Sequence, residues 1–140
     1  SPPWTSGITV TPVSIPDRPR AWRENSRAAA ASMRSGFEYS TKILPFHEGV
    51  AALNLAAEGQ VVGAFGPFAR ALEAHYGLSG PAVAFWDIHE LADAEHSDVG
   101  NHIVIKYAST ADRQEAIRRA VRTSLAMWWQ FFDGMDKSFG

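Results

Sequence analysis

The chain has 140 residues, of which 46% are hydrophobic and 20% are charged, a composition that supports one packed domain and excludes full disorder. Thirteen basic and fifteen acidic residues give a net charge of -2, so no basic field is present for nucleic acid or an anionic membrane surface. The absence of cysteine excludes disulfides and thiolate metal ligands, and it fits a cytoplasmic location. No apolar run reaches the roughly 18 residues that a membrane-spanning helix needs.

The N-terminal part is predicted to be an extended arm followed by a helix. Residues 1–16 hold four of the eight prolines, a density that blocks helix formation. From Asp17, which can cap a helix, to about Ser32 the sequence is typical of a first helix, with Gly36 as its stop. We therefore divide the chain into an arm, 1–16, and a single helical domain, 17–140.

Three further helical blocks follow, and no convincing strand alternation is found after residue 12. They are predicted over residues 45–76, 81–107 and 110–133. The first of them keeps an apolar stripe of helical period, but Pro67 lacks the N–H of an i→i−4 bond, so we expect a kink or short break at Gly66-Pro67. The fold class is therefore predicted as all-α, a helical bundle.

Glycines and one capping pattern predict where the later helices begin and end. Gly77 is a C-terminal glycine for the block that runs through His75, and Gly134 is expected to end the last helix. Ser109 and Asp112 form an S-x-x-D capping box at the start of that last helix.

The third block carries two histidines and an aspartate in the pattern H-x-x-x-D-x-x-H, at His89, Asp93 and His96. At about 100° per residue, all three side chains leave one narrow helix face. Phe85 and Trp86 lie on the same face. Burying such polar groups unpaired costs several kcal/mol each. A divalent metal would satisfy them, because two imidazoles and one carboxylate are the ligand set of non-haem iron sites.

The alternative is that these three groups form a solvated helix face. Asp87 and Asp98 lie on the opposite side of the helix, which is therefore the better candidate for the solvent face. Glu58 adds a carboxylate to an apolar stretch that has no other charge between residues 50 and 69. It either points to solvent or faces the histidine-bearing helix across the bundle, as carboxylates do in di-iron helical bundles.

Other polar and aromatic residues are weaker candidates. Glu90 and Glu95 lie off the site face and are predicted to be surface residues. His102, about 140° around the helix from the first histidine of the pattern, is predicted not to share the site. The aromatic side chains from Trp128 to Phe132 fit a core or an interface better than a cofactor site. No phosphate-binding loop, dinucleotide-binding glycine motif or nucleophile elbow is present.

Three stretches together resemble the haem-oxygenase-like superfamily: AALNLAAEGQVV with FARALEAHYGL, then FWDIHELADAEHSDVGNHIVIKYAST, then RTSLAMWWQFFDGM. That superfamily includes the TenA thiaminases, pyrroloquinoline-quinone synthesis protein C and a branch of di-iron oxidases and oxygenases. The match covers roughly residues 45–135. The histidine–aspartate helix with a glutamate about 30 residues upstream is similar to the signature of the di-iron branch, and it implies the C-terminal half of a seven-helix fold.

The resemblance implies that iron, O2 and a small organic substrate meet in the core of the bundle. Carried over residue by residue, Glu58 resembles the glutamate of the middle helix of that fold. The ligands of the late helix of that fold correspond, by the same resemblance, to His89, Asp93 and His96. We expect Trp86 and Phe65 to line the substrate pocket.

The sequence departs from the di-iron branch at an early helix. That branch has a further glutamate and histidine there, spaced E-x6-H, whereas this spacing occurs here only at Glu95 and His102, on the late helix. About four of six expected ligands are present, so one or two iron ions are expected, with an incomplete second position. We expect a fragment, a chain completed by a partner that supplies the first helices, or a reduced variant. We also expect self-association, as a homo-oligomer, or binding to that partner.

Three functions are compatible with these observations. The leading one is a non-haem iron oxidase or oxygenase that acts on a small organic substrate with O2. The second is a cofactorless enzyme of the same superfamily, in which the histidines act as acid–base groups and bind substrate. The third is a non-catalytic helical binding module with an incomplete site. Elemental analysis of protein purified with iron separates the first function from the other two.

Overall fold

The computed structural model describes residues 20–139 and confirms the all-α prediction, since no strand occurs within that range. The five α-helices are α1 (Arg20–Lys42), α2 (Phe46–Val50), α3 (Phe65–Tyr76), α4 (Ala84–Tyr107) and α5 (Ala111–Phe139). A π-helical segment, Ala51–Glu58, continues α2, and a 3-10 turn, Gly80–Ala82, precedes α4. Among the described helices, none has the length and apolar character needed to cross a bilayer. The predicted arm, 1–16, and the cap at Asp17 lie outside the described residues.

Helices α1 and α5 pack along one another, and glycines mark their close approach. The prediction that Gly36 ends the first helix is wrong, and so is the prediction that Gly134 ends the last one, because each lies inside its helix. A Cβ at Gly36 would clash with Met127 Sδ, and a Cβ at Gly134 would lie 2.7 Å from Ala29 Cβ. The two glycines therefore serve helix packing rather than helix termination.

The break in the second helical block lies upstream of its predicted place at Gly66-Pro67. It occupies the turn at residues 59–64, and Pro67 sits in the first turn of α3, where a missing N–H costs no helical hydrogen bond. Gly63, with φ 82°, adopts the left-handed conformation that this turn requires. The predicted end of α3 is confirmed, because Gly77 follows it with φ 65°.

The start of α5 is capped one residue later than predicted. Thr110 Oγ1 accepts a 3.3 Å hydrogen bond from the backbone N–H of Arg113. The hydroxyl of Ser109 instead accepts a 3.3 Å hydrogen bond from the Arg113 guanidinium. The predicted pairing of Ser109 with Asp112 is therefore wrong, and Thr110 is the N-terminal cap of α5.

The π-helical segment lies between α4 and α5, which both pack against it. Four of its alanines are buried: Ala51, Ala52, Ala56 and Ala57. Val104 of α4 and Ile117 of α5 form the buried core cluster with the first of these alanines. Ser124 Oγ of α5 donates a buried 2.7 Å hydrogen bond to the carbonyl of Ala52. Small side chains thus let two long helices approach the segment that ends at Glu58.

Candidate metal centre

Three of the predicted ligands converge where the π-helical segment meets α4. Glu58, Asp93 and His96 each offer one ligand atom, and these atoms all lie within 4.8 Å of one another. His96 Nδ1 lies 3.6 Å from Asp93 Oδ1 and 3.7 Å from Glu58 Oε1. Both distances exceed hydrogen-bond length. Two carboxylates and one imidazole therefore share a small volume without being bonded to each other.

Burial differs sharply among these three side chains. The exposed fraction is 8% for Asp93, 31% for Glu58 and 54% for His96. The innermost group is thus a carboxylate that has a second carboxylate nearby, and burying such like charges is unfavourable unless a cation compensates them. The site opens toward solvent on the His96 side.

Glu58 is held by an unusual backbone conformation. It is the last residue of the π-helical segment, where the N–H of Gly59 bonds to the carbonyl of Asn54, five residues earlier, at 3.0 Å. π-Helical turns are rare and frequently occur at functional sites. The sequence analysis missed this feature, because the apolar period of this stretch also fits an α-helix.

His89 lies beside the three converging groups rather than among them. Its Nδ1 is 2.7 Å from the carbonyl oxygen of Phe85, and its ring stacks on the Phe85 ring at a centroid distance of 4.1 Å. Because a carbonyl oxygen only accepts, Nδ1 is the donor in this contact, and in the neutral ring Nε2 then keeps its lone pair. Metal-binding histidines are commonly oriented in this way. The role of His89 as a ligand stays a prediction.

A cavity of about 380 Å³ adjoins the candidate ligands. Glu58, His89 and Asp93 all line it. Most of its remaining wall is apolar and includes Phe65, whose role in binding substrate stays a prediction. The cavity is therefore an apolar space with carboxylate and imidazole groups in its wall.

Trp86 lines a second cavity, of about 260 Å³, in which every lining residue is aromatic or methionine. The two cavities share Phe65, Phe85 and Trp128 as walls. Trp86 packs edge-on against Phe65, with ring centroids 4.9 Å apart. It therefore stands behind the ligand-lined cavity. Trp129, which follows Trp128 on α5, is 72% exposed.

Glu90 has a structural role that the sequence analysis missed. It was predicted to be a surface residue, but it is partly buried, and its carboxylate accepts hydrogen bonds from the backbone N–H groups of Gly63, at 2.9 Å, and Gly66, at 3.0 Å. The first amides of a helix have no intrahelical partners. Glu90 of α4 thus caps α3 and holds the turn that follows Glu58. The cap is distant in sequence, so local capping patterns could not reveal it.

We expect Glu90→Gln to lower the free energy of unfolding by about 1–2 kcal/mol, because a carboxamide cannot accept both backbone hydrogen bonds through its two terminal atoms. Glu95→Gln is the matched control on the exposed side of the same helix and should change stability by less than about 0.5 kcal/mol. Urea unfolding of both variants measures the difference. Equal midpoints would contradict the capping role.

The donor set and the helical bundle can be compared with known protein families. Residues 16–129 match the model of a family described as iron-containing redox enzymes. The chain belongs to this family. The match confirms the resemblance drawn from residues 45–135 and extends it toward the N-terminus. All four predicted ligands lie inside the region that matches the iron-containing redox enzymes.

A relative among characterised proteins is 4-aminobenzoate synthase of Nitrosomonas europaea. It is 32% identical over 96 residues, which make up 68% of this chain and 39% of that protein. The matched region thus spans about two fifths of the relative. No solved structure matches the chain significantly.

Proposed function

We propose that this iron-containing redox enzyme chain contributes the metal site of an oxidase or oxygenase that acts on a small organic substrate with O2. Glu58, His89, Asp93 and His96 would hold the iron. The observation that carries the proposal is the convergence of three of these side chains, with ligand atoms within 4.8 Å of one another. The family to which the chain belongs supports the choice of metal.

The chemistry of the donors fits iron. Imidazole nitrogens and carboxylate oxygens are the ligands of non-haem iron sites, in which open positions remain for O2 and substrate. The buried Asp93 beside Glu58 places negative charge where a cation would be stabilised. When bound, iron would supply the electrons for the activation of O2.

The protein side chains would orient the ligands and exclude water. The hydrogen bond from His89 Nδ1 to the Phe85 carbonyl leaves Nε2 as the free nitrogen. The aromatic rings of Phe65 and Phe85 lie in the cavity wall, where they would limit the access of water to a bound substrate. His96, the most exposed of the group, does not line the cavity.

The cavity walls support a proposal for the class of substrate. A volume of about 380 Å³ with mainly apolar lining suits a small, largely apolar molecule. The relative is named for the synthesis of 4-aminobenzoate, an aromatic amine. The aromatic walls of the adjoining cavity would pack well against a ring of this kind.

The proposal is tested by anaerobic titration of the purified chain with Fe(II), followed by iron analysis and measurement of O2 consumption. We expect one iron per chain, bound weakly by the four ligands, and O2 consumption above that of the same free Fe(II) concentration. Two tightly bound metals per chain would show that the ligand set is complete without further helices. Binding of no iron would overturn the proposal and favour the cofactorless alternative.

A further inference from the structure

Asn54 connects two of the proposed ligands. Its Nδ2 donates a 2.7 Å hydrogen bond to Glu58 Oε2 and lies 3.4 Å from the carbonyl oxygen of His96. A carboxamide nitrogen carries two hydrogens and can serve both acceptors. One side chain therefore ties the carboxylate of Glu58, at the end of the π-helical segment, to the backbone of α4 at a second ligand.

The two oxygens of Glu58 are differentiated by this contact. Oε2 accepts the hydrogen bond from Asn54, whereas Oε1 lies on the side of His96, 3.7 Å from its Nδ1. A donor on one oxygen fixes the rotation of the carboxylate and leaves the other oxygen directed to the shared volume. An amide also achieves this without adding a third negative charge beside Glu58 and Asp93.

The backbone of Asn54 reinforces the same arrangement. Its carbonyl accepts the N–H of Gly59, the residue after Glu58, and so closes the π-helical turn that carries the glutamate. The backbone of Asn54 thus sets the position of Glu58, while its side chain sets the rotation of the carboxylate.

Gly100 makes room for Asn54 on α4. A Cβ at Gly100 would overlap Asn54 Cβ and would lie 3.2 Å from Asn54 Cγ. Gly100 is buried and lies one helical turn after His96, about 40° around the helix. The missing side chain lets the π-helical segment approach α4 closely enough for the amide to reach the His96 carbonyl.

We propose that Asn54 is a positioning residue that orients Glu58 toward the metal, and that Gly100 provides the gap that admits it. This inference rests on the proposed function. Carboxylate ligands are themselves held by hydrogen bonds, and loss of such a supporting partner typically lowers metal affinity by about 10–100-fold. The same loss is expected when Asn54 cannot donate.

The test is the affinity for Mn(II), a redox-stable surrogate of Fe(II), measured by calorimetry on the full chain. Asn54→Leu keeps the branching and the number of heavy atoms of the side chain but removes the donor, and its Mn(II) affinity should fall by about 10–100-fold. Asn101→Leu, at an exposed position beside Gly100 on the same helix, is the matched control and should bind as wild type.

Two glycine variants separate positioning from a general loss of stability. Gly100→Ala displaces Asn54 without changing its chemistry and should also weaken Mn(II) binding. Gly134→Ala introduces a contact with Ala29 between α1 and α5 instead, and should retain Mn(II) affinity whatever its unfolding midpoint. Gly100→Ala also serves as the test if Asn54→Leu fails to fold.

The outcomes distinguish the inference from the function on which it rests. Wild-type affinity in Asn54→Leu, in a protein that binds Mn(II), overturns the positioning role alone. An affinity that falls in Gly134→Ala as much as in Gly100→Ala also overturns it, since stability would then explain both. A wild-type chain that binds neither Fe(II) nor Mn(II) overturns the proposed function and this inference together.

Discussion

Replacing His89 with alanine is expected to remove most of the Fe(II) affinity and to leave the metal-free protein nearly as stable as wild type. The imidazole would be one of only four ligands, so its loss weakens the site directly. In the metal-free protein its hydrogen bond is to the carbonyl of Phe85, within its own helix. If His89 were purely structural, the substitution would instead lower the free energy of unfolding by about 1–3 kcal/mol, whether or not metal is present.

His102 supplies a closely matched control for this experiment. It lies on the same helix, and its Nδ1 makes the equivalent contact with the carbonyl four residues earlier, 2.9 Å from Asp98 O, but its side chain is exposed. Thermal melts of wild type, His89→Ala and His102→Ala, each with and without Fe(II) under anaerobic conditions, compare the two positions. If the metal-induced rise in Tm persists undiminished in His89→Ala, the metal binds elsewhere.

Asp93→Asn is expected to lower Fe(II) affinity by at least about tenfold, because a buried charged ligand becomes a neutral, weaker one. The metal-free variant should be no less stable than wild type. Its new carboxamide removes one of two neighbouring negative charges, and Asp93 is 8% exposed, so the charge is poorly solvated. Calorimetric titration with Fe(II) and urea unfolding of the metal-free protein measure both quantities.

Asp98→Asn is the control for charge alone, because Asp98 lies on the same helix with a side chain that is 75% exposed. It should leave metal affinity and stability close to those of wild type. If Asp93→Asn instead destabilises the metal-free protein and binds Fe(II) normally, Asp93 is a structural hydrogen-bond acceptor and not a ligand.

Local patterns in the sequence predicted the helical class, one helix end and part of the candidate site. Apolar period and the absence of strand alternation predicted the all-α class, and Gly77 was correctly placed after α3 because a left-handed C-terminal residue is a local requirement. The spacing of Asp93 and His96 on α4 follows from the 3.6-residue helical period. Glu58 was identified because a lone carboxylate on an apolar stretch is unusual, whatever the fold.

The tertiary structure decided the features that depend on how closely two elements approach. Gly36 looks like a helix stop in sequence, yet it lies within α1. A glycine is needed there because Met127 of α5 occupies the space that a side chain would fill. Two contacts join residues that no local pattern connects: the cap that Glu90 gives to α3 and the insertion of Asn54 opposite Gly100. Backbone propensity acts over a few residues, whereas helix approach is set by side-chain volumes on elements far apart in the chain.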